Sequence, residues 1–396
     1  MAHDSSLFAS VEEAIQEFRA GRMVVVVDDE DRENEGDLTL AAEFVTPEAI
    51  NFMARFGRGL ICLTLTEERA DYLRLYPMTP DNTSRFGTAF TETIEAREGV
   101  TTGISAADRA QTIRVAIDPR STPQDLARPG HVFPLRARKG GVLVRAGQTE
   151  ASVDFARMAG LVPAGVICEI MNDDGTMARV PDLANFCREH NLLMVTVADL
   201  IHYRLQNERY IHRVAEGVLS TAYGEFRMIA YENDVDGGES HVALVLGDVA
   251  GSDSILVRVH TFALAEDVFG LSGYDGHALI EGSMRAIAEA GRGAIIYLHN
   301  STRGFAIDRT VEPHRIVFQS EHRRARAEDG NSERWDDRSP RTLRQVGLGG
   351  QILSDLGIHK IRLLTNTRTH VPALQGFGIE IVEQIPIPAG SASVRR

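Results

Sequence analysis

Short apolar runs alternate along the chain with stretches of helical spacing, and each run is bounded by glycine, proline or charge. Ser10-Val-Glu-Glu13 has the form of a capping box, in which the serine hydroxyl and the glutamate three residues on satisfy each other's free main-chain donors. The helix it opens is expected to stop at Gly21. Four consecutive valines close the run from Met23 to Val27, and an unbroken β-branched run suits a strand buried on both faces. Thr46-Pro47 opens a further helix, with proline where its missing N–H costs nothing, and Gly57 and Gly59 lead into a strand from Leu60 to Leu65. Further apolar runs, Val142 to Val144 and Val166 to Ile170, flank a helix expected from Glu150 to Met158 and ended by Gly160. Asp182 to His190 reads as one more helix, followed by a run from Leu192 to Val197. Such interleaving predicts a layered α/β domain.

From Tyr203 to Arg213 the chain turns polar and charged, which marks a linker. A second α/β unit follows, with strands expected over 242–246, 255–259, 294–298 and 361–364 and helices near 277–290 and 349–356. The stretch from Asp308 to Arg344 is dense in charge and poor in aliphatics, and its interleaved acids and bases fit a surface loop better than a nucleic-acid patch. With 396 residues there is apolar material for two cores. The balance of 42 Lys+Arg against 56 Asp+Glu gives −14, which disfavours non-specific nucleic-acid or anionic-membrane binding. Cys62, Cys168 and Cys187 are too few and too scattered for a disulfide framework. No apolar run has the length of a membrane span and the N-terminus lacks the plan of a signal peptide, so a cytoplasmic protein is expected.

One segment departs from this ordinary picture. Asp28-Asp-Glu-Asp-Arg-Glu-Asn-Glu-Gly-Asp37 directly follows the valine run and carries seven acids and one arginine. Clustered carboxylates repel unless a cation joins them, and the crevice beyond the strand ends of an α/β sheet is where ligands bind. A solvated loop is the plain alternative. An EF-hand is excluded, because a loop starting at Asp31 has Ala42 where the bidentate glutamate belongs. Gly347-Leu-Gly349 lacks the third glycine of a dinucleotide fingerprint.

The acidic segment, with Gly-Val-Thr-Thr-Gly-Ile-Ser-Ala-Ala-Asp-Arg (99–109), Pro-Gly-His-Val-Phe-Pro-Leu (129–135), Thr-Glu-Ala-Ser-Val-Asp (149–154) and Cys-Glu-Ile-Met-Asn (168–172), resembles 3,4-dihydroxy-2-butanone 4-phosphate synthase from about residue 8 to 203. The resemblance implies a homodimeric, magnesium-dependent lyase, with manganese as the other usable cation, that converts ribulose 5-phosphate to dihydroxybutanone phosphate and formate. Carried over by residue, it implies that Arg32 contacts substrate, Glu33 binds metal, Asp37 holds sugar hydroxyls, and Arg145 and Thr149 bind the substrate and its phosphate. It makes His131 and Glu169 essential to the chemistry, Glu169 also touching substrate and Glu33 also counting among the catalytic groups. Enolisation beside a carbonyl needs proton carriers, which carboxylates and imidazole supply, and a hard cation to polarise oxygens. Thr102 to Ser105, just before an expected helix, is a place for phosphate. Cys62 is either a packed core thiol or a neighbour of the substrate. In one departure, the family's metal-ligating histidine is replaced here by Gln148, which offers a neutral amide oxygen in place of imidazole.

From about Tyr210 to 388 the chain resembles GTP cyclohydrolase II, through Gly224-Glu-Phe-Arg227, Arg258-Val-His-Thr261, Asp267-Val-Phe-Gly270, Gly347-Leu-Gly-Gly-Gln-Ile-Leu353 and Arg362-Leu-Leu-Thr-Asn366. That family holds a catalytic zinc on three cysteines, and the corresponding positions read Ala263, Tyr274 and Gly276. Its other signatures are altered as well, at Ser301-Thr302-Arg303-Gly304 and at Thr342, with Arg344 kept. His260, Asp275 and His277 are the residues from which another zinc site could be built. The expectation is therefore a two-domain α/β (α+β) protein. Residues 1–207 form a layered α/β/α synthase domain with a mixed sheet, and 208–396 a cyclohydrolase II-like mixed α/β domain without zinc that does not cleave GTP. The alternative is a non-catalytic metabolite-binding or scaffold partner of riboflavin-pathway enzymes.

Overall fold

In the computed structural model the valine run forms strand β1 (Val24–Val27), buried at every position, directly after helix α1 (Val11–Arg19). The structure describes residues 7–29, 32–84, 86–234, 239–251, 253–269, 276–299, 305–308, 315–318, 340–366, 374 and 377–388. The chain divides into two compact units, 1–203 and 204–396.

In α1 the expected capping box is present. Glu13 N donates to Ser10 Oγ at 3.2 Å and Ser10 N to Glu13 Oε2 at 2.8 Å. The rest of the first unit is β2 (Gly36–Ala41), α2 (Pro47–Phe52), β3 (Cys62–Leu65), α3 (Glu67–Tyr72), β4 (Ile94–Ala96), α4 (Ala106–Ile117), β5 (Leu126–Arg136), α5 (Gln148–Met158), β6 (Ala164–Glu169), α6 (Val180–His190), β7 (Leu193–Thr196) and α7 (Val197–Asn207), the last crossing the 203/204 boundary. Its seven strands lie in the order β4-β5-β3-β6-β2-β1-β7. Pairs β1/β7 and β3/β5 are parallel and the others antiparallel, so the sheet is mixed as expected.

Val25, Leu38, Leu40, Leu63 and Val166 turn one sheet face into a core shared with Ile50 of α2, Ile113 of α4 and Leu183 of α6. Burying each such side chain contributes about 1.5–3 kcal/mol. Helices α1 and α5 cover the other face, their Phe18 and Phe155 rings 5.2 Å apart. Close approach of α5 depends on Gly165, where a Cβ would stand 2.6 Å from Ser152 Cβ.

Several local expectations are corrected. The apolar run from Val142 to Val144 is not a strand. A 3-10 turn spans Gly141–Leu143, because Gly140 and Gly141 both adopt positive φ and Asp154 of α5 accepts from Val142 N at 2.9 Å. Helix α5 begins at Gln148, two residues before Glu150, with Gly147 as its N-cap. Helix α6 begins at Val180, and Asp182 is a first-turn residue that reaches back to Arg179 N at 3.0 Å. The polar stretch from Tyr203 to Arg213 is mostly ordered structure. Helix α7 runs to Asn207, its Arg204 paired with Glu208 at 2.9 Å, and the next strand starts at Ile211. Asp37, read as the end of an acidic turn, belongs to β2.

The second unit contains β8 (Ile211–Thr221), β9 (Gly224–Asn233), β10 (Glu239–Leu246), β11 (Ile255–Thr261), α8 (Leu264–Asp267), α9 (Gly276–Ala290), β12 (Gly293–Leu298), β13 (Phe305–Asp308), β14 (Arg315–Phe318), α10 (Pro340–Asp355), β15 (Lys360–Leu364) and β16 (Glu380–Ile385). Its main sheet is ordered β16-β15-β11-β12-β10-β9-β8 and is also mixed. Helix α10 starts well before the 349 expected, with proline in its first position. Apart from β14, the end of β13 and the start of α10, the charge-dense stretch from Asp308 to Arg344 lies outside the described residues.

Candidate active site

The strand register decides where the acids gather. Asp37 of β2 pairs with Val26 of β1 on one side and with Glu169 of β6 on the other, so the two carboxylates are cross-strand neighbours. Asp37 is 2% exposed, and its Oδ1 is buried without a hydrogen-bond partner. Burial, followed by the charges of Glu169, Glu33, Asp28 and Glu35, pushes its carboxyl well above the usual range. Glu169 is also raised, chiefly by burial, against the opposing hydrogen bond from Leu60 N to its Oε2 at 2.8 Å. Gly59 permits this contact, since a Cβ there would lie 2.5 Å from the same Oε2. Cys62 is buried beside Leu135 and Ile167, and burial, then the charges of Glu169 and Asp37, lifts its thiol well above the usual value. A thiol so placed packs and does not ionise.

The acidic segment folds around Asp28. Its carboxylate accepts from Arg32 Nη1 at 2.5 Å, Glu35 N at 2.9 Å and Glu33 N at 3.3 Å. Arg32 Nη2 donates to Glu33 Oε1 at 2.8 Å, and its guanidinium lies 5.5 Å from the Phe86 ring centroid. Arg179 Nη1 reaches from the start of α6 to Glu33 O at 2.9 Å and to Asn34 O. Burial, then Glu33, raises the Glu35 carboxyl. Glu30 and Asp31 lie outside the described residues.

Helix α5 presents its N-terminus to this cluster, and the positive end of a helix dipole favours acids there. Gln148 Nε2 donates to Glu35 O at 3.0 Å and Val26 O at 3.4 Å. Thr149 and Glu150 are buried beside it. Arg145 is held by four hydrogen bonds to the protein. Nη1 donates to Glu150 Oε2 at 2.7 Å, Nε and Nη2 to Phe86 O at 3.4 and 3.3 Å, and Nη2 to Thr88 Oγ1 at 3.1 Å. It therefore ties the 86–88 loop, on which Arg32 stacks, to α5.

His131 stands on β5 two residues before Phe133, the partner of Cys62, so it lies toward the same end of the sheet as Glu169. Its Nδ1 is 2.7 Å from Glu95 Oε2. The loop ahead of α4 is closed by Asp108, which accepts from Thr101 Oγ1 at 2.7 Å and from Thr101 N and Gly103 N at 3.0 Å. Those bonds, the hydroxyl's first, hold its carboxyl below the usual range. Thr102 is exposed on this loop.

In the second unit His260 Nε2 lies 2.9 Å from Asp267 Oδ1, and Asp267 Oδ2 also accepts from Ala263 N at 3.0 Å and Tyr297 Oη at 3.1 Å. Burial opposes ionisation of Asp267, but these bonds together hold it below the usual value. Ala263 and Gly276, at two positions where the cyclohydrolase resemblance places zinc cysteines, carry no donor atom, so zinc does not fit there. His277 Nε2 lies 3.5 Å from Glu281 Oε1 on the same helix. Among the described residues no group of three or more His, Cys, Asp and Glu is arranged to hold a metal ion. Tyr274, Asp275 and the 301–304 segment lie outside the described residues, as do the side chains of Thr342 and Arg344.

Residues 12–203 match the family model of 3,4-dihydroxy-2-butanone 4-phosphate synthase and residues 212–386 that of GTP cyclohydrolase II. A relative from Aquifex aeolicus, named riboflavin biosynthesis protein RibBA, is 51% identical over 383 residues, 96% of this chain and 92% of its own. The chain belongs to this family of riboflavin biosynthesis, a dihydroxybutanone phosphate synthase domain fused to a GTP cyclohydrolase II domain. A relative from Pseudomonas syringae pv. tomato, named 3,4-dihydroxy-2-butanone 4-phosphate synthase, is 48% identical over 387 residues, 96% of this chain and 99% of its own. A crystal structure of RibBX, a two-domain 3,4-dihydroxy-2-butanone 4-phosphate synthase from A. baumannii, superposes with a TM-score of 0.77 at 39% identity, covering 95% of this chain and 99% of that one. The helices among the described residues include none long and apolar enough to cross a membrane.

Within the synthase domain the structure gathers Glu33, Asp37, Glu169, Cys62 and Gln148, with Arg32 and Arg145 joined through the 86–88 loop. His131 and Thr102 sit on separate elements, and among the described residues the hydrogen bond of His131 goes to Glu95. Sequence reasoning missed Asp28 as the organiser of the acidic segment, Glu95 as the partner of His131, and Glu150 as the counter-ion of Arg145. Glu150 stood inside a quoted motif. Glu95 had no local signal, because its partner is 36 residues away.

Proposed function

We propose that the synthase domain is a divalent-cation-dependent lyase, acting as a homodimer, that converts ribulose 5-phosphate to 3,4-dihydroxy-2-butanone 4-phosphate and formate. The carrying observation is the Asp37–Glu169 pair, two adjacent carboxyls with raised proton affinity and one oxygen without a protein partner. No three of these acids are arranged around a metal site as they stand among the described residues, so a cation would draw Glu33 and the Gln148 amide oxygen in beside Asp37. The cation held there would be magnesium, or manganese in its place, and would supply charge to neutralise the acids and to polarise the carbonyl and enediol oxygens of the sugar. Glu169, its Oε2 fixed by Leu60 N and its proton affinity raised by burial, would move a proton in the enolisation. His131, fixed at Nδ1 by Glu95, exchanges protons at Nε2. Asp37 and Arg32 orient the sugar, Cys62 lines it with an un-ionised thiol, and Thr149, Arg145 and the Thr102 loop at the start of α4 take the phosphate. Exposed Tyr76, Met78 and Ile104 give the domain apolar surface that a second copy would cover.

The second domain does not hydrolyse GTP in this reading. Ala263 and Gly276 supply no zinc ligand, and two proteins aligned nearly end to end with this chain carry names that mention the synthase alone. The test is formate release by the full chain with magnesium, assayed separately from ribulose 5-phosphate and from GTP, and repeated with zinc added. Release from the pentose phosphate alone is expected. No release from it at any cation concentration would leave the domain a binding partner, and zinc-dependent loss of GTP would restore the cyclohydrolase.

A further inference from the structure

Gln148 stands where the synthase resemblance places a metal-ligating histidine, yet its side chain is spent on main chain. The carbonyls it meets, Val26 O and Glu35 O, face each other across the neck of the acidic segment. Val26 lies in β1 and Glu35 immediately precedes β2, and Asp28 N donates to the same Glu35 carbonyl at 3.2 Å. Arg179 holds the segment from α6, and Asp28 holds it from within. Among these contacts Gln148 alone joins it to α5.

The chemistry of the side chain matters here. A carboxamide nitrogen carries two hydrogens and can serve two carbonyls from one atom, whereas an imidazole nitrogen carries at most one. Carbonyls only accept, so the two of them fix Nε2 on their side and leave Oε1 as the end that can meet a cation. Gln148 is buried, and because Glu35 O also accepts from Asp28 N, losing the amide removes one of that carbonyl's two bonds.

We propose that Gln148 is a positioning residue whose Nε2 locks the described ends of the acidic segment, residues 28–29 and 32–35, to the N-terminus of α5 before any cation is bound. The lock holds mutually repelling acids in place, which lowers the ordering cost of cation binding. Only the benefit to the cation rests on the lyase reading. The lock itself does not.

Hydrogen exchange of the full-length protein in a chelator, followed by mass spectrometry, tests it. Gln148→Ala and Gln148→Met, the latter filling the volume without a donor, are expected to speed exchange over 28–36 about tenfold, the effect of losing two modest hydrogen bonds. Gln148→His is expected to speed it about threefold, and peptides over β3 and α4 are expected to stay unchanged in all three. Calorimetric titration with magnesium alone is expected to show affinity about tenfold weaker in Gln148→Met. Wild-type protection over 28–36 in Gln148→Met would overturn the proposal, as would a Gln148→His segment slower than wild type. Absence of formate release in wild type, with these exchange changes intact, would sink the lyase reading alone.

Discussion

Asp37 and Glu169 face each other across an antiparallel strand pair, and both carboxyls are held above their ordinary values near 3.8 and 4.5. The folded protein therefore binds more protons than the unfolded chain once the pH exceeds those ordinary values. This contribution to stability is whole below them and is lost as the pH rises through the raised values. In the cation-free protein, Asp37→Asn is expected to raise the melting temperature of the synthase domain at pH 7 by about 2–4 °C for each kcal/mol of repulsion removed. It is also expected to abolish most of the stabilisation by magnesium. Calorimetric melting between pH 5 and 8, with and without magnesium, checks both, and an unchanged magnesium shift would remove Asp37 from the cation site.

Arg145 and Glu150 form a buried pair, with Glu150 1% and Arg145 17% exposed at the side chain. Arg145→Met strands the carboxylate and is expected to destabilise the domain by about 3 kcal/mol. Arg145→Met combined with Glu150→Gln is expected to recover much of that while leaving the KM for ribulose 5-phosphate raised, because the 86–88 loop stays untied. Chemical denaturation separates the two effects. Equal stability of single and double variants would deny the pair its role.

Glu95 fixes the imidazole of His131. Glu95→Gln is expected to lower kcat about 100-fold with little change in KM, the lower end of what a positioned general acid or base contributes. Steady-state formate release measures it, and nitrogen NMR of His131 should show the ring tautomer less defined. A kcat within twofold of wild type would place His131 outside the chemistry.

Asp267 collects three donors in the second unit, from His260, Ala263 and Tyr297. Asp267→Ala is expected to destabilise that domain by about 3 kcal/mol, through donors left buried without a partner. Its depressed carboxyl gives stability above the ordinary value of 3.8 that is lost as the pH falls through the lower folded value. Melting of the second domain on acidification should follow this sign. Chelators are expected to leave it unchanged, and a chelator-sensitive melt would show a structural metal.

Much of the fold was legible locally. Four valines wrote β1, Ser10 and Glu13 wrote the start of α1, and proline at the first position wrote α2. These signals act within one turn or one strand, where main-chain donors and side-chain branching decide the outcome. The double-glycine turn before α5 and the ordered stretch from Tyr203 to Arg213 were misread, because Asp154 and Glu208 stabilise them through contacts that composition does not display.

The family motifs pointed to Glu33, Asp37, His131 and Glu169 as expected site residues, and the expectation that Ala263, Tyr274 and Gly276 stand at three zinc-cysteine positions was likewise formed without coordinates. Sequence by itself thus determined the two families that the chain joins and which side chains stand at each position. Only the tertiary structure decided which groups meet. Strand register set Asp37 against Glu169, which are 132 residues apart by number, and the α5 N-terminus brought Gln148 to Val26 and Glu35. A carboxyl's proton affinity and an amide's partners depend on burial and on charges brought together by packing, and neither is a property of the residue's neighbours in the chain.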